Sequence, residues 1–178
     1  LNLFGARAQL SCRPKAGGKR APAAKELPGN RRDWLQVGGG AVDFWQGKTV
    51  IVTGASRGIG RALALQLAQR GGRLALAARS AGELRELGAE LAASGAEVLL
   101  QPTDVTDRAA VTALVEAAGG RFGRLDVLIN NAGIGLRSRV AELRPEELER
   151  ALAVNLLGPL HLIQAVLPWF TSGGGGLI

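Results

Sequence analysis

At 178 residues, 47% of them hydrophobic, the chain has the length and apolar content of one domain with a sizeable core. Aromatics make up only 4%, so that core must be built from Ala, Leu, Val and Ile, and a single cysteine (Cys12) and a single histidine (His161) exclude an internal disulfide and a zinc site of several Cys or His. The charge of +7 is uneven: residues 1–45 hold eight Lys or Arg against three Asp or Glu, a net of +5, so the pI of about 10.9 describes a leader more than a body.

The lone cysteine fits a reducing, cytoplasmic compartment. No apolar run is expected to reach the ~20 residues that span a bilayer. Neither Met nor Tyr occurs anywhere, which points to a fragment or a processed chain.

Residues 1–40 show no sustained period and contain Pro14, Pro22, Pro28, Gly17-Gly18 and Gly38-Gly39. Residues 1–45 therefore read as a basic, disordered leader. A non-structural extension, an organelle-targeting peptide and a nucleic-acid arm all remain open. The targeting reading is weakened by the single Ser11, and the nucleic-acid reading by the lack of aromatics among the basic residues. No nucleic-acid partner is expected. Trp34 and Trp45 are expected to dock the leader on the body.

From Lys48 the pattern changes. Thr49–Thr53 reads as a β-branched strand, followed by a helix from Gly58 to Arg70 with Ile59, Leu63 and Leu67 on one face and Gly71-Gly72 as its stop. Leu74–Ala78 is a second strand. Gly82–Ala93 is a helix with Leu84, Leu87 and Leu91 inward, and Val98–Leu100 is a third strand. The next helix carries Val111, Leu114, Val115, Ala118 and Phe122 as a stripe. Leu125–Ile129 is a fourth strand, and 130–144 a loop. A long helix then starts at Pro145, with Leu148, Leu152, Leu156, Leu160, Ile163, Leu167 and Phe170 on one face and a bend at Gly158-Pro159. Along it, Glu146–Arg150 is an expected i, i+4 pair, His161 a packing or surface residue, and Trp169 a packing cap. Leu177-Ile178 reads as the start of a fifth strand. The alternation predicts an α/β fold: a doubly wound, Rossmann-like parallel sheet in three α/β/α layers, truncated just after the fifth strand begins.

The first strand runs straight into Thr53-Gly54-Ala55-Ser56-Arg57-Gly58-Ile59-Gly60. A strand, a glycine-rich turn and a helix start form a phosphate cradle, because glycine backbone admits a pyrophosphate and the free N–H groups of the helix start face it. The alternative for these glycines is a plain tight turn. Their G-x-x-x-G-x-G spacing, with Asp104-Val105 after the third strand, Asn130-Asn131-Ala132-Gly133 after the fourth and Asn155 in the last helix, resembles the short-chain dehydrogenase/reductase family over residues 46–178.

That resemblance implies a cofactor site made of Gly54, Ser56, Arg57, Gly58, Ile59, Gly60, Arg79, Asp104, Val105, Asn131, Ala132 and Gly133. It implies that Asp104 accepts a hydrogen bond from the adenine amino group, with a helix cap as its other reading. Asn131-Ala132-Gly133 would line the cleft or simply turn the chain. The second strand ends in Ala77-Ala78-Arg79-Ser80 without an acid for the ribose hydroxyls. Arg79 and Arg57 instead offer charge to a 2′-phosphate, which favours NADP(H), unless Arg79 is merely solvated. The implied reaction is hydride transfer with a small carbonyl or alcohol substrate. In the family a Tyr donates the proton, a Lys four residues on lowers its pKa, a Ser orients the substrate and a helix Asn holds a water. Of the four only the Asn, Asn155, is present, so the chain is expected to bind cofactor weakly and not turn over. The long helix is expected to expose an apolar face, to limit solubility and to serve a homo-oligomer in the full-length protein. A non-catalytic dinucleotide-binding protein is the alternative.

Overall fold

The structure is a computed structural model, and residues 43–178 are described. The expected leader lies outside the described residues except for 43–45. These enter a turn over residues 44–47, where Phe44 and Trp45 meet edge to face at 5.1 Å and Trp45 packs on the core. Trp34 lies outside the described residues.

Four parallel strands form the sheet: β1 (Thr49–Thr53), β2 (Arg73–Ala78), β3 (Val98–Pro102) and β4 (Val127–Ile129). Their order is β3-β2-β1-β4, with Val50 opposite both Leu74 and Val127. The chain winds outward from β1 to β3, then returns to the other side of β1. The gap between the carboxyl ends of β1 and β4 is therefore the switch point of the sheet. Leu177 pairs beside Val127 on the far edge of β4 through Leu177 N–H to Asp126 O and Leu128 N–H to Leu177 O, both 2.9 Å. This is the expected start of a fifth strand.

Side chains alternate along each strand, so the sheet feeds two cores. Val50, Val52, Leu74 and Leu76 face α1 (Gly58–Gln69) and α2 (Ala81–Ala93), meeting Ala64, Leu67, Leu84, Leu87 and Leu91. Ile51, Ala75, Ala77 and Leu128 face the other way. They meet α3 (Arg108–Phe122), a π-helical segment (Ala153–Leu157) that continues α4 (Pro145–Leu152), and α5 (Gly158–Ser172). This is the expected three-layer arrangement. Helix α1 ends at Arg70, where Gly71 N–H bonds Ala68 O, Gly72 N–H bonds Leu67 O and Gly71 takes φ +76°.

Several helical expectations are corrected. Ile59 is 73% exposed, and the inward residues of α1 are Gly60, Ala64 and Leu67, because the Gly60 backbone packs under the loop at Gly54. In the long helix Leu148, Leu152, Leu156, Leu160 and Leu167 form the outer face, while Ala151, Val154, Gly158, Leu162, Val166 and Phe170 are buried. Helix α3 lies close to this buried row: Trp169, expected as a cap, fills the space left by Gly119. At Pro159 the helix does not simply bend. The missing N–H and the ring of Pro159 are accommodated by one wide π turn over Ala153–Leu157. Val140–Glu142 forms a short 3-10 turn inside the expected loop, and the local ion pair is Arg144–Glu147 at 2.8 Å rather than Glu146–Arg150. The stretch Pro145–Ser172 is in fact long and apolar enough to cross a membrane by length and composition, with a mean hydropathy of 1.5 over an 18-residue window within it. Residues 151–170 carry no charge, which the sequence reading overlooked; in the fold its inner face packs on the sheet and α3.

Candidate functional site

The loops leaving β1 and β4 are cross-braced. Thr53 Oγ1 accepts from the N–H groups of Asn131 and Ala132, both at 3.1 Å, and donates to Ile129 O at 3.3 Å. Asn131 Nδ2 donates in return to Thr53 O at 3.0 Å and Gly54 O at 3.1 Å. The approach is so close that a Cβ on Gly54 would lie 2.9 Å from both Ala132 Cα and Asn131 Nδ2. Gly54 also takes φ +65°. Gly60 is closed in by the Gly54 carbonyl. Gly58 differs: it takes φ +57° and its Cβ direction is open space. Packing thus explains Gly54 and Gly60, and the backbone turn explains Gly58.

Above this brace lies a cleft of about 650 Å³ at the switch point. Gly54, Ser56, Arg57 and Ile59 contribute from the first loop, and Arg79 follows β2. Asp104 and Val105 follow β3, and Asn131, Ala132 and Gly133 follow β4. Ten of the expected cofactor residues are brought together. Gly58 and Gly60 shape the loop without lining the cleft, and Asn155 stands behind it.

The cleft suits an anion at one end. The start of α1 has no acid in its first turn, and Arg57 at its cap makes no side-chain capping bond, so the first N–H groups are open. Arg57 and Arg79 are exposed and form no ion pair among the described residues. At the other side of β2, Asp104 Oδ1 accepts from Thr106 N–H at 2.9 Å and Thr106 Oγ1 at 2.8 Å. Those two bonds, with the charges of Arg79 and Arg150, outweigh partial burial and hold the Asp104 carboxyl below its ordinary value. Asp104 does not cap α3; Asp107 does, accepting from Ala109 and Ala110 N–H at 2.8 and 3.2 Å. The second oxygen of Asp104 is left to accept from a ligand.

Asn155 sits in the π-helical segment and grips one residue with both polar atoms. Its Nδ2 donates to Ile134 O at 2.8 Å and its Oδ1 accepts from Ile134 N–H at 2.9 Å. The loop after Gly133 is thereby fixed along the cleft floor.

Sequence reasoning missed Ala78, Ser80, Glu83, Thr103, Ile134 and Val154, all of which line the cleft. Glu83 had a signal: Ser80-Ala81-Gly82-Glu83 has capping-box spacing, although Ser80 makes no side-chain capping bond here. It is an acid in the cleft, one turn into α2 rather than at the strand end. No group of three or more His, Cys, Asp or Glu placed to hold a metal occurs among the described residues.

A family model described as short chain dehydrogenase matches residues 48–178. An uncharacterized oxidoreductase of Listeria monocytogenes is 41% identical over 131 residues, which is 74% of this chain and 53% of that protein. The chain thus spans about half the length of that relative. A metagenomic short-chain oxidoreductase solved in complex with NADP is 36% identical with a TM-score of 0.70, covering 75% of this chain and 61% of that one. An alcohol dehydrogenase from Thermococcus sibiricus, complexed with 5-hydroxy-NADP, is 40% identical with a TM-score of 0.70, covering 73% and 56%.

Proposed function

The chain belongs to the short-chain dehydrogenase family, and from that premise we propose that it is the cofactor-binding part of an NADP(H)-dependent oxidoreductase acting on a carbonyl or alcohol. The observation that carries the cofactor preference is the pair Arg57 and Arg79 in one cleft, neither in an ion pair among the described residues, beside a β2 end without an acid. Two permanently charged guanidinium groups favour a 2′-phosphate, whereas ribose hydroxyls would call for a carboxylate there. Two similar proteins solved with NADP or 5-hydroxy-NADP support the same reading.

In this reading NADP(H), when bound, would supply the hydride chemistry. The chain's own residues do the rest. Gly54, Ser56 and Ile59 present backbone N–H groups of the loop and the α1 start to the pyrophosphate, on a turn that Gly58 and Gly60 shape. Asp104 accepts from the adenine amino group through its second oxygen, and Val105 walls the adenine side. Asn131, Ala132 and Gly133 floor the ribose and nicotinamide side. Asn155, expected to work through a water, has both side-chain polar atoms taken by Ile134, so we read it as a positioning residue for that floor. The chain contains no Tyr to protonate or deprotonate the substrate oxygen, so it binds cofactor without turnover by itself.

The outer leucines of α4 and α5 read as an association surface for copies of this chain. The reading places the protein in the cytoplasm, with Cys12 reduced. Fluorescence titration with NADPH and with NADH tests the preference: tighter NADPH binding is expected, and equal affinities overturn it.

A further inference from the structure

We infer that Gly158 is a positioning residue: its bare backbone lets the π-helical segment sit against Val105, and that contact sets how Asn155 holds Ile134 beneath the cofactor. The inference rests on the dinucleotide reading of the cleft. Gly158 is buried at the junction of the π-helical segment and α5. A Cβ there would lie 2.8 Å from Val105 Cγ2, 3.1 Å from Val105 Cβ and 3.3 Å from Val105 O. The first two belong to a branched side chain with no flexible end, and the third to backbone, so neither yields cheaply.

What lies on each side of that contact makes it functional. Val105 is 6% exposed and lines the cleft after β3. On the other side, the wide turn carries Val154, 7% exposed and also lining the cleft, and Asn155, which holds Ile134 by two bonds. Ile134 lines the cleft after β4. One glycine contact therefore connects the wall after β3 to the floor after β4. These lie on opposite sides of β1 and β2 and share no strand pairing. A π turn has fewer favourable backbone bonds than an α turn and shifts more readily. A displacement of a few tenths of an ångström at Gly158 is passed to the Asn155 side chain, whose paired bonds need both distances kept.

The test uses the full chain and two readouts, NADPH affinity by fluorescence titration and hydrogen exchange at the Ile134 amide. Gly158→Ala should weaken NADPH binding about tenfold and speed exchange at Ile134. Adding Val105→Ala to Gly158→Ala removes the clashing methyls and should restore Ile134 protection. Gly119→Ala, more crowded still but set against Trp169 away from the cleft, should lower the melting temperature without moving NADPH affinity. If Gly158→Ala does not fold, Val105→Leu adds bulk to the same contact from the other side and is read in the same way. Unchanged affinity and exchange in the folded variant overturn the inference, as does an equal loss of affinity in Gly119→Ala. If the wild-type chain binds neither NADPH nor NADH, the cofactor reading itself fails.

Discussion

The Asp126 carboxylate accepts a hydrogen bond from the Thr49 N–H at 3.0 Å, joining the entry of β4 to the entry of β1 at the sheet edge opposite the cleft. Arg124 Nε donates to the same oxygen at 3.0 Å, and Lys48 Nζ lies 3.3 Å from the other. Burial pushes the Asp126 carboxyl up, but Arg124, the Thr49 N–H and Lys48 together outweigh it and hold it below its ordinary value of 3.8. A group depressed in the folded state stabilises above its unfolded pKa. Its contribution is lost as pH falls below 3.8 and through the folded value. Asp126→Ala should cost about 1–3 kcal/mol at neutral pH by leaving the buried Thr49 N–H unpaired. It should also flatten the acid limb of a thermal-unfolding series. An unchanged acid limb would contradict this.

Arg79 supplies the second prediction. Arg79→Asp removes the fork facing a 2′-phosphate and places an acid where ribose hydroxyls are met. NADPH affinity should fall by about ten- to a hundredfold, since a charge-assisted hydrogen bond contributes about 1.5–3 kcal/mol, while NADH affinity rises. Glu83→Gln, which removes one of the two acids lining the cleft, should strengthen NADPH binding. Paired titrations of the two cofactors check both.

Asn131 braces the glycine loop through donors only. Asn131→Ala should cost about 1–2 kcal/mol in stability and weaken cofactor binding, because two carbonyls lose their partner. Asn131→Asp should be worse than Ala, since its oxygens would face the carbonyls of Thr53 and Gly54. Denaturant titration ranks the three proteins, and Asp equal to wild type sinks the brace.

The outer leucine face gives the fourth. Leu148 is 41%, Leu152 47%, Leu156 60% and Leu160 44% exposed along one side of the helix. Leu152→Glu with Leu156→Gln should shift the chain from larger species toward monomer in light scattering, with NADPH affinity kept. An unchanged mass distribution removes this surface as the seat of association.

The strands and their order of winding were legible because apolar runs of β-branched and aliphatic residues, cut by glycines, have few other meanings. Ten residues of the cleft were legible because motif spacing survives translation into strand ends. The hidden parts depended on distance between segments far apart in sequence. Glu83, Ile134 and Val154 carry no unusual pattern and become cleft residues only once α2, the loop after β4 and the π-helical segment converge. The leucine row of α4 and α5 was legible as an apolar face left exposed. The buried row was not, because periodicity marks a face but does not say which neighbour covers it, and Leu162, Val166 and Phe170 became core only against α3.

The sequence by itself determined the cradle: local backbone needs at Gly54, Gly58 and Gly60, and short-range alternation, are written residue by residue. Only the tertiary structure decided what supports it. The two bonds from Asn131 to the glycine loop, the grip of Asn155 on Ile134 and the contact of Gly158 with Val105 join residues 77 or 78, 21 and 53 positions apart. Contacts of that span depend on how the layers pack, which no local pattern encodes.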